Sequence, residues 1–450
     1  MFSTMTNVEE AMKRDCREMI DAAIAAVSPI EAVQRHLHCD EANHLRIGDD
    51  TVNLQEIERI VLISFGKASA AMAVGVVQEL SKAPNLPPIC GVVIVKDNHA
   101  SNEEKEQLSG HNIVVREAAH PVSDDRSVSA SREALSLVQE YASQDTLVIV
   151  CISGGGSALF CAPRMSLDDF QQVNRVLLQS GCSIQDTNII RKRLDSAKGG
   201  GLALVAQPSR LFSLILSDVL GDPLDLIASG PTVSDTSSPA DVSRILNEFA
   251  LRDKLPSSAL ELLERGTDHA TPSQKAAFEK SRCALVGNNA IAVSAAAAVA
   301  ESKYNPIVLD THLEGEASSV ARFLVGLAAQ LQSQGDYPMT KLPAAIVAGG
   351  ETTVTIPPAS TGKGGRNQEL ALAAAVALRE RGLRNIVVAS IGTDGTDGPT
   401  DAAGGIVDGG TVCRMSGDAP RALREHDAYN YLKEHDKDGR TPLVKVCLSR

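Results

Sequence analysis

Apolar residues in this chain fall into short unbroken runs, each closed by glycine, serine or a charged residue and most followed by a helix-like stretch. The run 60–65 (IVLISF) ends at Gly66, and small residues with helical spacing follow over 68–80. The runs 90–95 (CGVVIV) and 112–116 (NIVVR) come next, and 127–141 is spaced as a helix at Val128, Leu135 and Val138. The run 147–152 (LVIVCI) leads into SGGGS at 153–157, and 211–216 (LFSLIL) leads into Ser217-Asp218. Runs without polar alternation predict strands buried on both faces, and their alternation with helices predicts a parallel sheet covered on both sides. The polar, breaker-rich stretch 232–243 predicts a domain boundary. Beyond it, 255–263 predicts a helix and 266–275 a loop. The pattern then restarts, with strands expected at 283–286, 306–309, 344–348 and 386–391. The expected organisation is two α/β domains, 1–240 and 241–450, meeting at a cleft.

Composition narrows the function classes. The 450 residues are 43% hydrophobic and 22% charged, ordinary for a globular chain and enough for a large core. The net charge of −13 repels phosphate backbones, no long basic run offsets it, and aromatic residues are 3% with no Trp. No nucleic-acid partner is expected. No stretch reaches the roughly 18 apolar residues of a membrane span; the longest candidate, 290–300, is short and Ala-rich, so no membrane partner is expected either. Lys13, Arg14 and Arg17 are interspersed with Glu9, Glu10 and Asp15, which fits neither a secretory signal nor an acid-poor presequence. The expected location is the cytoplasm, with a mitochondrial address left open. Nine scattered cysteines without a CxxC pair indicate reduced thiols rather than a zinc site or disulfide framework. The sequence does not fix an oligomeric state.

In open parallel sheets ligands bind beyond the carboxyl ends of the strands. The residues expected there are Gly66-Lys67, SGGGS (Ser153, Gly154, Gly155, Gly156, Ser157), Asp218, Glu351 after Gly349-Gly350, and GTDGTDG at 392–398 with Asp394. The segment GKGGRNQE at 362–369 opens a strong helix over 369–381. These groups suit phosphoryl transfer. Glycine-rich backbone at helix starts, here 153–157 with Gly364, Gly365 and Asn367, exposes N–H donors to an anion. Lys67, Lys363 and Arg366 can neutralise phosphate oxygens, and Asp218, Glu351 and Asp394 can hold Mg²⁺. The plainer readings are that a strand-end Asp caps a helix or shapes a turn, and that a GGG loop is a tight turn. His120, in EAAHPVSD, is a candidate substrate contact or base, with a turn-forming role before Pro121 equally open. Arg191 and Lys198 are candidates for a substrate carboxylate, against a solvated helix face with a glycine end. G-x-x-x-x-G-K-[ST] is absent, since Val61 stands where the first glycine belongs, and G-x-G-x-x-G and G-x-S-x-G also fail.

FGKASAAMA (65–73), ISGGGSALF (152–160), NIIRKRLDSAKGGGLA (188–203), LSDVLGDPLDLIASGPT (216–232), AGGETTVT (348–355), GKGGRNQELALA (362–373) and GTDGTDGPTDAAGG (392–405) resemble, in order, the motifs of the class II glycerate kinases, which end in a MOFRL domain. The resemblance implies two Rossmann-like, three-layer α/β domains with the active site in the cleft between them. The second domain would contain the MOFRL region at about 341–450. It implies phosphorylation of D-glycerate by ATP with Mg²⁺, 2-phosphoglycerate being the favoured product, and it carries the family's active-site positions onto Lys67, Asp218, Arg366 and Asp394. Two alternatives stand beside it. One is hydroxypyruvate reduction, for which the nicotinamide fingerprint is missing. The other is an inactive binding protein, because the chain departs from the family's ending after about residue 425.

Overall fold

The expected strands form because Val, Ile and Leu dominate them, and their alternate side chains serve two different layers. In the computed structural model, which describes residues 2–265, 277–333, 340–358, 360–415, 417–434 and 441–445, β4 (Arg59–Phe65) and β7 (Thr146–Ile152) show this directly. Ile60, Leu62, Leu147, Ile149 and Cys151 pack on one face with Val33, Met72 and Val76. Val61, Ile63, Phe65, Val148, Val150 and Ile152 pack on the other with Ala130, Ala134 and Val138. Helices therefore cover both faces of the sheet. Each buried Val, Leu or Ile contributes about 1.5–3 kcal/mol of transfer free energy.

The chain divides into two compact units, residues 29–288 and residues 1–28 with 289–450. In the first, an antiparallel ribbon of β1 (Leu37–Cys39), β2 (His44–Ile47) and β3 (Asp50–Asn53) precedes β4. With β5 (Ile89–Lys96), β6 (Ile113–Ala118), β8 (Arg210–Leu216) and β9 (Ser281–Gly287), the strands β4 and β7 build a six-stranded sheet in the order β6-β5-β4-β7-β8-β9, parallel throughout. This is a doubly wound sheet. The winding reverses between β4 and β7, and such a switch point opens a crevice at the strands' carboxyl ends.

The polar stretch 232–243 does not divide the units. It is the start of a helix, Pro239–Glu248, with Ser238 in a capping box and Pro239 in the first turn, which is why it is rich in breakers. That helix packs with helices Leu167–Gln179, Ile184–Leu194 and Ser257–Arg265 around Phe170, Val173, Ile190, Ile245 and Leu263, all within 29–288. The unit boundary lies instead at 288/289. The loop expected at 266–275 lies outside the described residues.

The second unit is also α/β. β10 (Asn305–Glu316) and β11 (Ala344–Thr353) pair in parallel, and β12 (Val387–Ile391), β13 (Gly404–Asp408) and β14 (Leu443–Val444) form an antiparallel sheet. Helix Arg366–Glu380 is buried continuously from Gln368 to Leu378 and lies at the centre of this unit's core. An all-round apolar helix of this kind belongs inside a core rather than on its surface. Helix Phe2–Ala26 belongs to the same unit: it packs on helix Asn289–Ala300, and Lys13 reaches Asp408 at 2.5 Å.

Candidate active site

At the switch point the turns after β4 and β7 are bonded to each other. The Lys67 amide donates to the Gly154 carbonyl at 2.8 Å, the Ser153 amide to the Phe65 carbonyl at 3.1 Å, and the Ala68 amide to Ser153 Oγ at 3.1 Å. Ser153 is buried, so its hydroxyl is a strut between the turns and is not presented to a ligand as the sequence suggested. The glycines make room for charged and polar side chains. A Cβ on Gly154 would collide with the Asp218 carboxylate. One on Gly155 (φ +82) would lie 2.8 Å from His120 Nε2 and 3.5 Å from Lys67 Cγ, and one on Gly156 would lie 2.8 Å from Ala228 Cβ. Lys67, His120 and Asp218 thus converge on the SGGGS turn. Among the described residues the amides of Gly154 and Gly155 find no backbone acceptor, which leaves two N–H donors beside a lysine.

The electrostatics of this cluster are set by burial and by Lys67. Burial, reinforced by Lys67, Lys96 and His99, pushes His120 down to about 4, so its ring is neutral near pH 7. Asp218 is exposed and Lys67 is half-buried.

Behind the turn lies a polar network that the sequence reading passed over. Ser157 Oγ is 3.0 Å from Ser229 Oγ, and Ser229 donates to Asn188 Oδ1 at 2.7 Å. Ala228 and Ser229 both sit at positive φ (50° and 61°), a strained geometry for residues with a Cβ and one that tends to cluster at functional sites. The ASGPT string at 228–232 was the available signal. Lys198 has a structural role within the chain. It is buried, lies 3.3 Å from Asp195, and donates at 2.9 Å to the carbonyls of Ser157 and Phe160. Two of its donors go to those carbonyls and Asp195 balances its charge within the chain, so Lys198 braces the helical turn Gly156–Leu159. Arg191 donates through Nε to Asn174 at 2.7 Å, and burial lowers its pKa. It lies one turn beyond Asn188 on helix Ile184–Leu194.

The second unit holds the other predicted residues. Asp397, not among the candidates, accepts from the amides of Asn367 (3.2 Å) and Gln368 (2.8 Å) and from Asn367 Nδ2 (3.1 Å). Burial raises its pKa against those bonds. The helix start at Arg366 is therefore already capped by a carboxylate of the chain. The expectation that Asn367 offers its amide there to phosphate is corrected: the positive end of the helix is taken. Gly365 also has a plainer explanation, since a Cβ there would strike Asp397, and a Cβ on Gly398 (φ +61) would collide with the Gly364 carbonyl. Arg366 is exposed and pairs with Glu351, which commits that carboxylate to a cation of the chain. Asp394 is exposed, and its Oδ1 accepts from the Thr396 amide at 3.2 Å, shaping the turn after β12. Among the described residues no three His, Cys, Asp or Glu gather into a metal cage, and no helix is long and apolar enough to cross a membrane.

These features define a doubly wound α/β protein with a glycine-lined switch point on which a lysine, a carboxylate and a neutral histidine converge. Comparison with known proteins makes the assignment specific. A family described as a domain of unknown function, DUF4147, matches residues 15–264, and the MOFRL family matches 344–445. A D-glycerate 2-kinase of Thermotoga maritima is 36% identical over 94% of this chain and 94% of its own length. A relative in Agrobacterium vitis, 38% identical over 95% of this chain and 91% of its own length, bears a provisional hydroxypyruvate reductase name. A solved glycerate kinase from Thermotoga maritima superposes with a TM-score of 0.79 at 33% identity, covering 97% of this chain and 96% of that one. The chain belongs to the class II glycerate kinase family, the MOFRL-containing glycerate 2-kinases. The MOFRL match runs to residue 445, so it covers most of the stretch after 425 where a departure from the family's ending was expected.

Proposed function

We propose that this protein transfers the terminal phosphoryl group of ATP to a hydroxyl of D-glycerate, with the 2-hydroxyl as the favoured acceptor. The observation that supports this most is the gathering of Lys67, Asp218 and His120 on the SGGGS turn at the switch point of the sheet, in a chain of this family. ATP and Mg²⁺, when bound, supply the phosphoryl group and neutralise its charge. Lys67 places a fixed positive charge beside the amides of Gly154 and Gly155, where it stabilises negative charge on transferring oxygens. Arg366, at the start of the second unit's central helix, offers phosphate oxygens a planar fork. Mg²⁺ takes hard oxygen donors from one or two carboxylates and completes its shell with phosphate and water. The exposed carboxylates Asp218, in the first unit, and Asp394, in the second, are each candidates to hold it, whereas Glu351 pairs with Arg366. His120, neutral near pH 7, orients substrate by hydrogen bonding rather than by charge.

The winding order of the sheet is also that of dinucleotide-binding proteins, but the turn after β4 carries one glycine and a lysine instead of three glycines. A pyrophosphate packed against that turn needs the close backbone approach that the glycines provide, so reduction is the weaker reading. Phosphorus NMR of the protein with MgATP and D-glycerate tests the proposal. The expected product is 2-phosphoglycerate. A 3-phosphoglycerate signal would change the acceptor hydroxyl, and NADH-dependent consumption of hydroxypyruvate without either product would overturn the kinase reading. Lys67→Ala should lower kcat by roughly 10²–10³ with circular dichroism unchanged.

A further inference from the structure

The glycine turn 362–365 is clamped from two sides by its own unit. On one side stand Asp397 and Gly398. On the other lies 425–429, within the span that the MOFRL family matches. Ser360 Oγ donates to the Glu425 carbonyl at 2.9 Å, and a Cβ on Gly362 would collide with that same carbonyl. The Lys363 amide donates to Asp427 Oδ1 at 2.8 Å, and the Tyr429 amide donates to the Lys363 carbonyl at 2.9 Å. The Lys363 ammonium sits 4.7 Å from the centre of the Tyr429 ring, and Tyr429 Oη donates to Asp401. His426 Nδ1 lies 3.0 Å from Glu369 Oε2, on the helix that the turn opens. The main chain of Lys363 is thus fixed from both its amide and its carbonyl, and its side chain is fixed by a cation–π contact.

We infer that 425–429 is a positioning strap for phosphoryl transfer: Asp427 and Tyr429 set the turn 362–365 and, through it, the aim of Lys363 and Arg366. The inference rests on the kinase reading above. It assigns no contact with substrate to the strap. Such a role fits phosphoryl transfer, where most of the work is positioning and charge placement, and an error of about 1 Å can cost on the order of 10²-fold.

The test compares Asp427→Ala, Asp427→Asn, Tyr429→Leu and Tyr429→Phe in the full chain. Amide exchange over 362–365 is measured together with kcat and the KM for ATP. Asp427→Ala and Tyr429→Leu should speed exchange in the turn and lower kcat/KM for ATP by roughly 10–100-fold, while melting temperatures stay near wild type. Asp427→Asn keeps the acceptor for the Lys363 amide, and Tyr429→Phe keeps the ring, so both should stay near wild type. Faster exchange with unchanged kcat and KM would reduce the segment to a structural brace and overturn the proposal, as would unchanged exchange in Asp427→Ala. A wild type that makes no phosphoglycerate brings down the kinase reading itself. A wild-type kinase with an indifferent Asp427→Ala brings down the strap alone.

Discussion

His120 shows how a single side chain can be placed in a site by its neighbours' size and charge. It lies against Gly155 because no Cβ blocks it, and burial beside Lys67 keeps it neutral. Its pKa falls from an ordinary 6.5 to about 4. Between those values the unfolded chain binds the proton and the folded chain does not, so stability falls as pH drops through that window. Urea unfolding of wild type and His120→Gln between pH 7 and pH 4.5 checks this. The midpoint of wild type should fall more steeply, and parallel slopes would mean that His120 does not carry the acid sensitivity. At this scale the sequence was informative about identity and weaker on role. Lys67 and Asp218 were legible as strand-end charges beside glycines. Ser153 and Lys198 carry the same signal, yet both are buried and brace the turn, because burial and bonding partners are set by segments far away in sequence.

Elements were legible wherever an apolar run was long enough to be buried on two faces. The runs at 60–65, 147–152 and 211–216 became β4, β7 and β8 within a residue or two. The ribbon 37–53 was not legible, since strands of three or four residues alternate too briefly to stand out. β13 was hidden by its own glycines. Gly404 admits the Ser390 carbonyl, and Gly405 brings Ala371 of the central helix to 3.0 Å from a would-be Cβ, so what reads as a turn is a closely packed strand. The same central helix supplies a prediction. Asp397 reaches across from another loop to cap it, through a carboxylate that is 3% exposed. Asp397→Ala should cost about 1–2 kcal/mol, the range for losing an N-cap, read as a lower urea midpoint with an unchanged slope. A variant as stable as wild type would show that solvent caps the helix equally well, and would reopen its N-terminus as an anion site.

At the scale of the molecule, the feature that local pattern could not show is which parts of the chain fold together. The helix Phe2–Ala26 is separated from 289–450 by the whole of the first unit, yet it is tied there by several bonds. Lys303 and Tyr304 each reach Asp15 at 2.6 Å, the Asn385 amide donates to Glu9 at 3.1 Å, and Lys13 joins Arg414 on the buried Asp408. Burial opposes ionisation of Asp408, but Arg414 and Lys13 outweigh it and hold the carboxyl down at about 2. A cut at 240/241 would sever the helix Pro239–Glu248 from its packing partners and leave the N-terminal helix in the wrong piece. We therefore expect 29–288 to fold by itself with native-like circular dichroism, and 289–450 to unfold without a cooperative transition. Adding a peptide of residues 1–28 should restore cooperativity to 289–450, because it returns the partner of helix Asn289–Ala300 and the second cation of Asp408. Cooperative unfolding of 289–450 with no peptide present would mean that the N-terminal helix is an appendage, and the exposed Lys303–Asp15 pair would then be worth under about 1 kcal/mol.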